Sequence, residues 1–144
     1  MATIPYEKDI VAWANEQARL LRAGLFSQLD IEHIAEEIED VGKSERRELK
    51  SRMAGLLAHL LKWRYQPSRR GNSWRRTIKV QRKGVIHCLT ETPSLKPELQ
   101  DPNWWEQVWD DAIAGVLKEV ELDGLPEICP WSAEDILNDE FWPD

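Results

Sequence analysis

Residues 44–63, SERRELKSRMAGLLAHLLKW, repeat apolar side chains at the spacing of one face of an α-helix. This face consists of Leu49, Met53, Leu56, Leu57 and Leu60. Because the face is wide, we expect the helix to be central in the fold, and it must end before Pro67 because proline disfavours helical geometry in the preceding residue. The same 3.6-residue period dominates the rest of the chain, without strand-length alternation bounded by hairpin turns. The sequence therefore predicts an all-α fold.

Two helices are predicted ahead of this central one. The first begins near Pro5, ends at Gly24 and turns one face inward, made of Ile10, Trp13, Ala14, Gln17 and Leu21. The second is capped by Asp30, and its inward stripe consists of Ile31, Ile34, Ala35, Ile38 and Val41. Gly42 marks either the end of this second helix or a kink before the central one.

Further helices are predicted after the central one. The fourth stops at residues 92–93, and its inward face consists of Trp74, Ile78, Gln81, Val85 and Leu89. Asp101 followed by Pro102 is a capping residue plus a first-turn proline, and this pair predicts the start of a fifth helix. Ser132 with Asp135 resembles a capping box for a short terminal helix. We therefore expect a single domain, residues 1–144, that forms a bundle of five or six helices.

Length and composition limit the class of protein. With 144 residues, 42% hydrophobic residues and eight Trp, the chain can bury a core and is not a disordered chain. No apolar run approaches the roughly 18 to 20 residues that span a bilayer, so we predict a cytoplasmic protein with no membrane contact. Cys88 and Cys129 form no CxxC pattern and are expected to be buried thiols. The glycines occur singly, without a phosphate loop or dinucleotide fingerprint, and no cofactor is predicted.

Positive charge is concentrated between Lys43 and Lys83. This segment holds fourteen Lys and Arg residues and only two acidic residues, Glu45 and Glu48, so its net charge is +12. Because the whole chain has a net charge of −7, the remaining residues carry −7 − 12 = −19. Segregation of this size indicates an electrostatic partner. One interpretation pairs the cations with acidic residues, either within the fold or across a dimer interface. Candidate acidic residues are Glu32, Glu36, Glu37, Glu39 and Asp40.

The alternative interpretation is that the basic segment binds nucleic acid or another anion. Its candidate residues, on a turn and on the outer face of the fourth helix, are Arg69, Arg70, Arg75, Arg76, Lys79, Arg82 and Lys83. Guanidinium groups bind phosphate oxygens bidentately, and a basic surface gains free energy from counterion release on nucleic acid. The overall pI near 5.1 argues against this interpretation, because nucleic-acid-binding domains are usually basic.

A second alternative is a metal-dependent enzyme. His33 and Glu37 lie one helical turn apart, and His59 lies at the margin of the central helix. If the second and third helices pack antiparallel, these three side chains converge and could bind a divalent transition metal such as zinc or iron. Recognised spacings such as HExxH are absent, which favours structural roles for both histidines. The sequence therefore favours a protein that is not an enzyme.

Several segments together resemble a known family. They are IAEEIEDVG from Ile34, SERRELKSRMAGLLAHLLKW from Ser44, the step from Gln66 to Pro67, SWRRTI from Ser73 and PSL from Pro93. Over nearly its whole length the chain is similar to the bacterial helical family catalogued as domain of unknown function twenty-nine. The resemblance implies a small all-α fold and supplies no activity, substrate or cofactor. The residues that match its most recognisable segments are Glu36, Glu37, Gly42, His59, Lys62, Trp63, Trp74 and Arg82.

These observations favour a small helical interaction or regulatory module that self-associates through complementary acidic and basic surfaces. The expected partner is a protein or a second copy of the chain, and nucleic acid is the alternative partner.

Overall fold

The computed structural model describes residues 5–144, and the regular structure in this range is entirely helical. The five α-helices are α1 (Ile10–Arg22), α2 (Ile31–Tyr65), α3 (Asn72–Glu91), α4 (Pro102–Glu119) and α5 (Ala133–Ile136). Three short 3₁₀ helices cover Phe26–Gln28, Pro67–Arg69 and Pro93–Gln100. Since residues 5–144 contain no strand, the predicted all-α fold is confirmed. None of the helices in this range has both the length and the apolar character needed to cross a membrane.

The 35-residue helix α2 combines two segments that the sequence predicted as separate helices. Gly42 neither ends the helix nor adopts a positive φ, whereas Gly24 and Gly124 do have positive φ. A single glycine costs a helix only about 1 kcal/mol relative to alanine, and the residues that follow Gly42 are mainly good helix formers. The predicted helix end at this glycine is therefore wrong, although the five α-helices of residues 5–144 agree with the predicted number.

The chain divides into two compact units. The N-terminal unit ends at Ser44, and the C-terminal unit covers Glu45–Asp144. Helix α2 runs through the boundary without interruption. The expectation of a single domain for residues 1–144 stays a prediction, and the two units are described separately below.

In the N-terminal unit, α1 begins and ends with recognisable capping. The side chain of Asp9 accepts a hydrogen bond from the backbone N–H of Ala12 at 3.0 Å. Gly24, with a φ of 72°, adopts the left-handed conformation that follows many helix ends. The buried face of α1 consists of Trp13, Gln17 and Leu20. The predicted face was wrong in part, because α1 buries Leu20 and leaves Ile10, Ala14 and Leu21 exposed.

The C-terminal unit has an apolar core built on the second part of α2. Its fully buried members on this helix are Leu49, Met53, Leu56, Leu57, Leu60 and Leu61. They pack with the buried residues of the other helices, which include Ile78, Val85, Val108, Trp109, Ala112, Val116 and Ile136. Each fully buried aliphatic side chain contributes roughly 1.5–3 kcal/mol relative to an exposed one, so this cluster is the main source of stability of the unit. The central position predicted for residues 44–63 is thus what the fold adopts.

Two predicted helix starts in the C-terminal unit have the expected caps. Asp101 accepts a hydrogen bond from the backbone N–H of Asn103 at 2.9 Å, and Pro102 is the first residue of α4. Ser132 accepts one from the backbone N–H of Asp135 at 3.1 Å at the start of α5. Both contacts satisfy N–H groups that have no partner within their own helix.

Candidate interaction surface and anion-binding cleft

The apolar stripe at the start of α2 is exposed. Ile31, Ile38 and Val41 are 68%, 67% and 65% exposed, and Ala35 between them is exposed as well. We call these four residues the bare stripe. Leu49 follows Ile31 by eighteen residues, or five helical turns, so both lie on the same face of α2, yet Leu49 is fully buried. The prediction that the stripe faces the core is wrong for these four residues, because nothing else in the described part of the N-terminal unit covers them, whereas Ile34 is half-buried.

Exposed apolar side chains are concentrated in the N-terminal unit. Within the described range, twelve large hydrophobic residues are at least 40% exposed, and eight of them lie before Ser44. Besides members of the bare stripe, these are Ile10, Val11, Leu21, Leu25 and Phe26. Scattered exposed hydrophobics are ordinary, but such a concentration in a small part of a chain is typical of an interaction surface.

Beside the bare stripe, one flank of α2 changes sign along its length. Helical spacing places three acidic residues on this flank, Glu32, Glu36 and Glu39, and all are exposed. The same flank continues with Lys43, Arg46 and Lys50. Lys50 donates a hydrogen bond to Oε1 of Gln107, whereas Arg46 lies 3.9 Å from Glu98 at the limit of an ion pair. The flank is therefore acidic in its first turns and basic in the next.

A different face of α2 carries a compact polar and aromatic cluster, centred on His33. Nδ1 of His33 lies 2.7 Å from Oδ2 of Asp30, and this oxygen also accepts a hydrogen bond from Nε1 of Trp13 at 3.0 Å. Tyr6 stacks on the His33 ring with centroids 4.2 Å apart and donates a hydrogen bond to Oε1 of Glu37. We call these five residues the His33 cluster. They connect the segment before α1, α1 itself and the start of α2.

Hydrogen bonding shifts the pKa values within the His33 cluster. The hydrogen bond to Asp30 raises the pKa of His33 above its ordinary value, and the same contact lowers the pKa of Asp30. The hydrogen bond to Glu37, together with burial, raises the pKa of Tyr6 to about 12. The hydrogen bond between His33 and Asp30 therefore favours the protonated imidazole of His33 and the ionised carboxylate of Asp30.

The predicted metal site of His33, Glu37 and His59 is not assembled. The antiparallel packing on which it depended does not occur, because both segments belong to one continuous helix, α2. His33 and Glu37 contact the members of the His33 cluster instead, and Nδ1 of His59 lies 3.0 Å from the backbone oxygen of Gly55. Residues 5–144 contain no group of three or more His, Cys, Asp or Glu side chains arranged to hold a metal ion.

In the predicted anion-binding segment, most of the cations are exposed and unpaired. Arg69, Arg75, Arg76, Lys79 and Lys83 are exposed, while Arg70 is half-buried. Across the described part of the chain, no carboxylate oxygen lies within 4.0 Å of a charged nitrogen of these residues. Pairing of the basic segment with the acidic turns of α2 across a dimer interface stays a prediction. Binding of nucleic acid by this segment stays a prediction.

Arg82 was expected on the exposed basic face, and this expectation is wrong. The residue is 0% exposed, and its Nε donates a hydrogen bond to the backbone oxygen of Ile136 at 2.8 Å. Its Nη2 donates another to the backbone oxygen of Phe141, while Nη1 is buried without a partner in the described range. Burial lowers the pKa of Arg82, against a smaller opposing effect of Asp139. Arg82 therefore anchors the C-terminal segment and does not face a solvent ligand.

A cleft of about 720 Å³ lies between α3 and the C-terminal segment. One wall carries four cations, Arg70, Arg75, Lys79 and Lys83. The other wall carries three carboxylates, Asp139, Glu140 and Asp144. Two tryptophans, Trp63 and Trp142, complete the lining, with their ring centroids 4.8 Å apart. We call this space the α3 cleft.

The arginines of the α3 cleft are held in place by aromatic rings and backbone oxygens. The guanidinium carbons of Arg70 and Arg75 lie 5.2 and 5.4 Å from the centroid of Trp63, within the range of cation–π attraction. Nε of Arg70 also donates a hydrogen bond to the backbone oxygen of Trp63 at 2.6 Å. Because these contacts restrict their side chains, the two arginines are positioned before any ligand arrives.

Sequence reasoning missed the acidic wall and Trp142 as parts of this cleft. The signal that could have found them is the cluster of three carboxylates in residues 139–144, close to a tryptophan, in a chain whose basic segment needs a negative counterpart. The expectation that both cysteines are buried thiols is correct only in part, because Cys88 and Cys129 are free but half-buried. Burial raises the pKa of each thiol.

The geometry defines a small all-α protein built on one long helix, with an exposed apolar stripe and a separate charged cleft. The family model described as "Domain of unknown function DUF29" matches residues 5–142, and the chain belongs to this family. Among solved structures, it is similar to an α-helical protein of unknown function from Rhodospirillum rubrum, with 28% sequence identity and a TM-score of 0.60. This similarity covers 97% of the present chain and 93% of the other. No protein with a curated description matches.

Proposed function

We propose that this protein is a cytoplasmic interaction module that self-associates by packing the bare stripe against α2 of a second copy. The observation that carries the proposal is the burial contrast along one helical face, between exposed Ile31 and Ile38 and buried Leu49. Covering apolar surface contributes about 25 cal/mol for each Å² removed from water. A helix that continues its core face into solvent for three turns therefore gains free energy when a partner covers that face.

The charge pattern of α2 supports a second copy in antiparallel orientation as this partner. When two α2 helices cross at Val41, Glu39 faces the partner's Lys43, and Glu36 faces the partner's Arg46. An isologous interface repeats each of these pairs by symmetry. A parallel arrangement would instead bring the acidic turns of both copies together and would be repelled. The acidic and basic turns are therefore self-complementary only in the antiparallel pair.

Exposed apolar side chains lie at and beside the proposed crossing point. Val41 and Ile38 are 65% and 67% exposed and offer apolar surface to the second copy. Gly42 beside Val41 has open space where a Cβ would stand, so two helices can approach closely at this position.

A charge-exchange experiment tests both the interface and its orientation. One variant combines Glu36→Lys with Glu39→Lys, and the other combines Lys43→Glu with Arg46→Glu. Each variant alone places like charges across the antiparallel interface, so we expect both to be monomeric in light scattering at low salt. Mixed in equal amounts, they restore every opposite-charge pair and should form a heterodimer.

The controls separate this effect from a general change in charge. Lys96→Glu with Glu121→Lys exchanges charge at exposed positions outside α2 and should leave the wild-type dimer unchanged. Ile38→Ser should weaken association at least tenfold with no loss of helix content, because the side chain is exposed in the single chain. A wild-type protein that is monomeric at low salt and high concentration, or two charge variants that fail to combine, would overturn the proposal.

A further inference from the structure

We infer that the α3 cleft binds a small phosphate ester that also carries hydroxyl or amino groups. The inference does not depend on the proposed self-association, because the cleft contains no residue of the bare stripe or of its charged flank. Its volume of about 720 Å³ lies within the usual range of small-molecule sites, about 300–1,000 Å³.

The basic wall has the chemistry and spacing of a phosphate site. Arg75, Lys79 and Lys83 follow one another at intervals of four residues on α3, so they form a row with a rise of about 6 Å between neighbours. Arg75 is held near both tryptophans, with its guanidinium carbon 5.4 Å from the centroid of Trp63 and 6.0 Å from that of Trp142. A restrained guanidinium with an ammonium group one helical turn away offers a fork and a point charge to the oxygens of one phosphate.

The acidic wall determines what the rest of the ligand must be. Asp139, Glu140 and Asp144 line the same cleft, yet no carboxylate in residues 5–144 comes within 4.0 Å of the cations of the basic wall. The cations and the carboxylates therefore line the same cleft without forming ion pairs with each other. Carboxylates accept hydrogen bonds from hydroxyl and amino groups, whereas they repel a second phosphate. A ligand with phosphate at one end and hydrogen-bond donors at the other satisfies both walls.

This arrangement disfavours a nucleic-acid strand in the cleft. Strand binding requires a groove of continuous positive charge that follows successive phosphates. The three carboxylates that line the same cleft interrupt such a groove. A sugar phosphate or a mononucleotide is small enough to place its one phosphate on α3 and its hydroxyl groups toward Glu140.

Binding can be measured by titration calorimetry with ribose 5-phosphate, inorganic phosphate, ribose and a single-stranded oligothymidylate. We expect ribose 5-phosphate to bind at least tenfold more tightly than inorganic phosphate, while ribose and the oligonucleotide do not bind. The double variant Arg75→Gln, Lys79→Gln should lose at least tenfold in affinity for both phosphate ligands. Arg64→Gln, an exposed arginine outside the cleft, is the matched control and should bind as the wild type does.

The acidic wall has its own test. Asp139→Asn combined with Glu140→Gln should abolish the preference for ribose 5-phosphate over inorganic phosphate, and both residues are exposed, so the fold should survive. Three results would overturn the inference: no binding of either phosphate ligand, tighter binding of the oligonucleotide than of ribose 5-phosphate, or an affinity for ribose 5-phosphate that increases when the carboxylates are removed. The last result would show that the acidic segment merely competes with anions.

Discussion

Arg82 donates a hydrogen bond from Nε to the backbone oxygen of Ile136 at 2.8 Å, in the interior of the C-terminal unit. Its second hydrogen bond, to the backbone oxygen of Phe141, also reaches the segment after α4. The side chain lies over Trp142, with its guanidinium carbon 5.3 Å from the ring centroid. A buried cation thus connects α3 to a segment that otherwise contains only the four-residue helix α5.

We therefore expect Arg82→Ala to lower the free energy of unfolding by roughly 3 kcal/mol, because one buried and one partly buried carbonyl group lose a charged donor. Arg82→Lys keeps a positive charge but lacks the fork that reaches both carbonyls. We expect it to lower the free energy of unfolding by more than half of the decrease expected for Arg82→Ala. Urea unfolding measures both changes. Arg76→Ala on the exposed side of α3 is the control and should change stability by less than about 0.5 kcal/mol. Equal stability of wild type and Arg82→Ala would contradict the anchoring role.

The His33 cluster should make the N-terminal unit sensitive to pH. The pKa of His33 is raised above its ordinary value of 6.5 in the folded protein. The stability that His33 contributes is therefore fully present below pH 6.5 and is lost as the pH rises through the higher pKa of the folded state. The pKa of Asp30 is lowered below its ordinary value of 3.8 in the folded protein. The stability that Asp30 contributes is therefore present above pH 3.8 and is lost as the pH falls through the lower pKa of the folded state. We expect the unit to be most stable between these two ordinary values.

Thermal unfolding followed by circular dichroism from pH 4 to pH 9 measures this dependence. His33→Asn should remove the loss of stability above pH 6.5, and histidine signals in NMR should show one group titrating above its ordinary range. His87→Asn replaces an exposed histidine outside the cluster and serves as the control. A wild-type profile that is flat from pH 6 to pH 9 would refute the assignment.

Lys62 and Glu119 form a partly buried ion pair between α2 and α4. The side chain of Lys62 is 9% exposed, and hydrogen bonding from it lowers the pKa of Glu119. We expect Glu119→Gln to cost about 1 kcal/mol, since it leaves a largely buried ammonium group without an anionic partner. Lys62→Met should be tolerated better than Lys62→Ala because it keeps the packed stem. Chemical denaturation measures the stability of the three variants. Equal stability of Lys62→Ala and Lys62→Met would contradict the role of the packed Lys62 stem.

The cap of α4 gives a simple test of local stability. Asp101→Ala should cost about 1 kcal/mol, whereas Asp101→Asn should be close to neutral because an amide oxygen also accepts the N–H of Asn103. Hydrogen exchange of the first turn of α4 should become faster only in the alanine variant. If both variants exchange at the same rate, the side-chain hydrogen bond makes no contribution.

The core of the C-terminal unit was predictable because periodicity and burial coincide there. Leu49, Met53 and Leu56 share one face of α2 and are buried. The same period led to a wrong prediction at Ile31 and Ile38, because spacing shows which residues share a face and not what covers that face. No local signal could distinguish the two halves, since the covering helices are distant in sequence from both.

The sites were less predictable, for reasons of charge and chain geometry. Arg82 was assigned to the surface because arginine is rarely fully buried, although it follows Ile78 by four residues and precedes Val85 by three on the core face of α3. The three residues of the predicted metal site do not converge, because convergence required a turn at Gly42 that the backbone does not make. The α3 cleft depends on a contact between residues some sixty positions apart, which periodicity does not reveal.

The proposed self-association through the bare stripe would link the folding of this protein to its concentration. A second copy that binds only the folded N-terminal unit would stabilise that unit by mass action, so the melting temperature should rise with protein concentration. At high dilution the same turns of α2 would lose their cover and become the part of the chain that opens most easily. Newly made or sparse chains would then be the first that proteases reach, while abundant protein would protect itself.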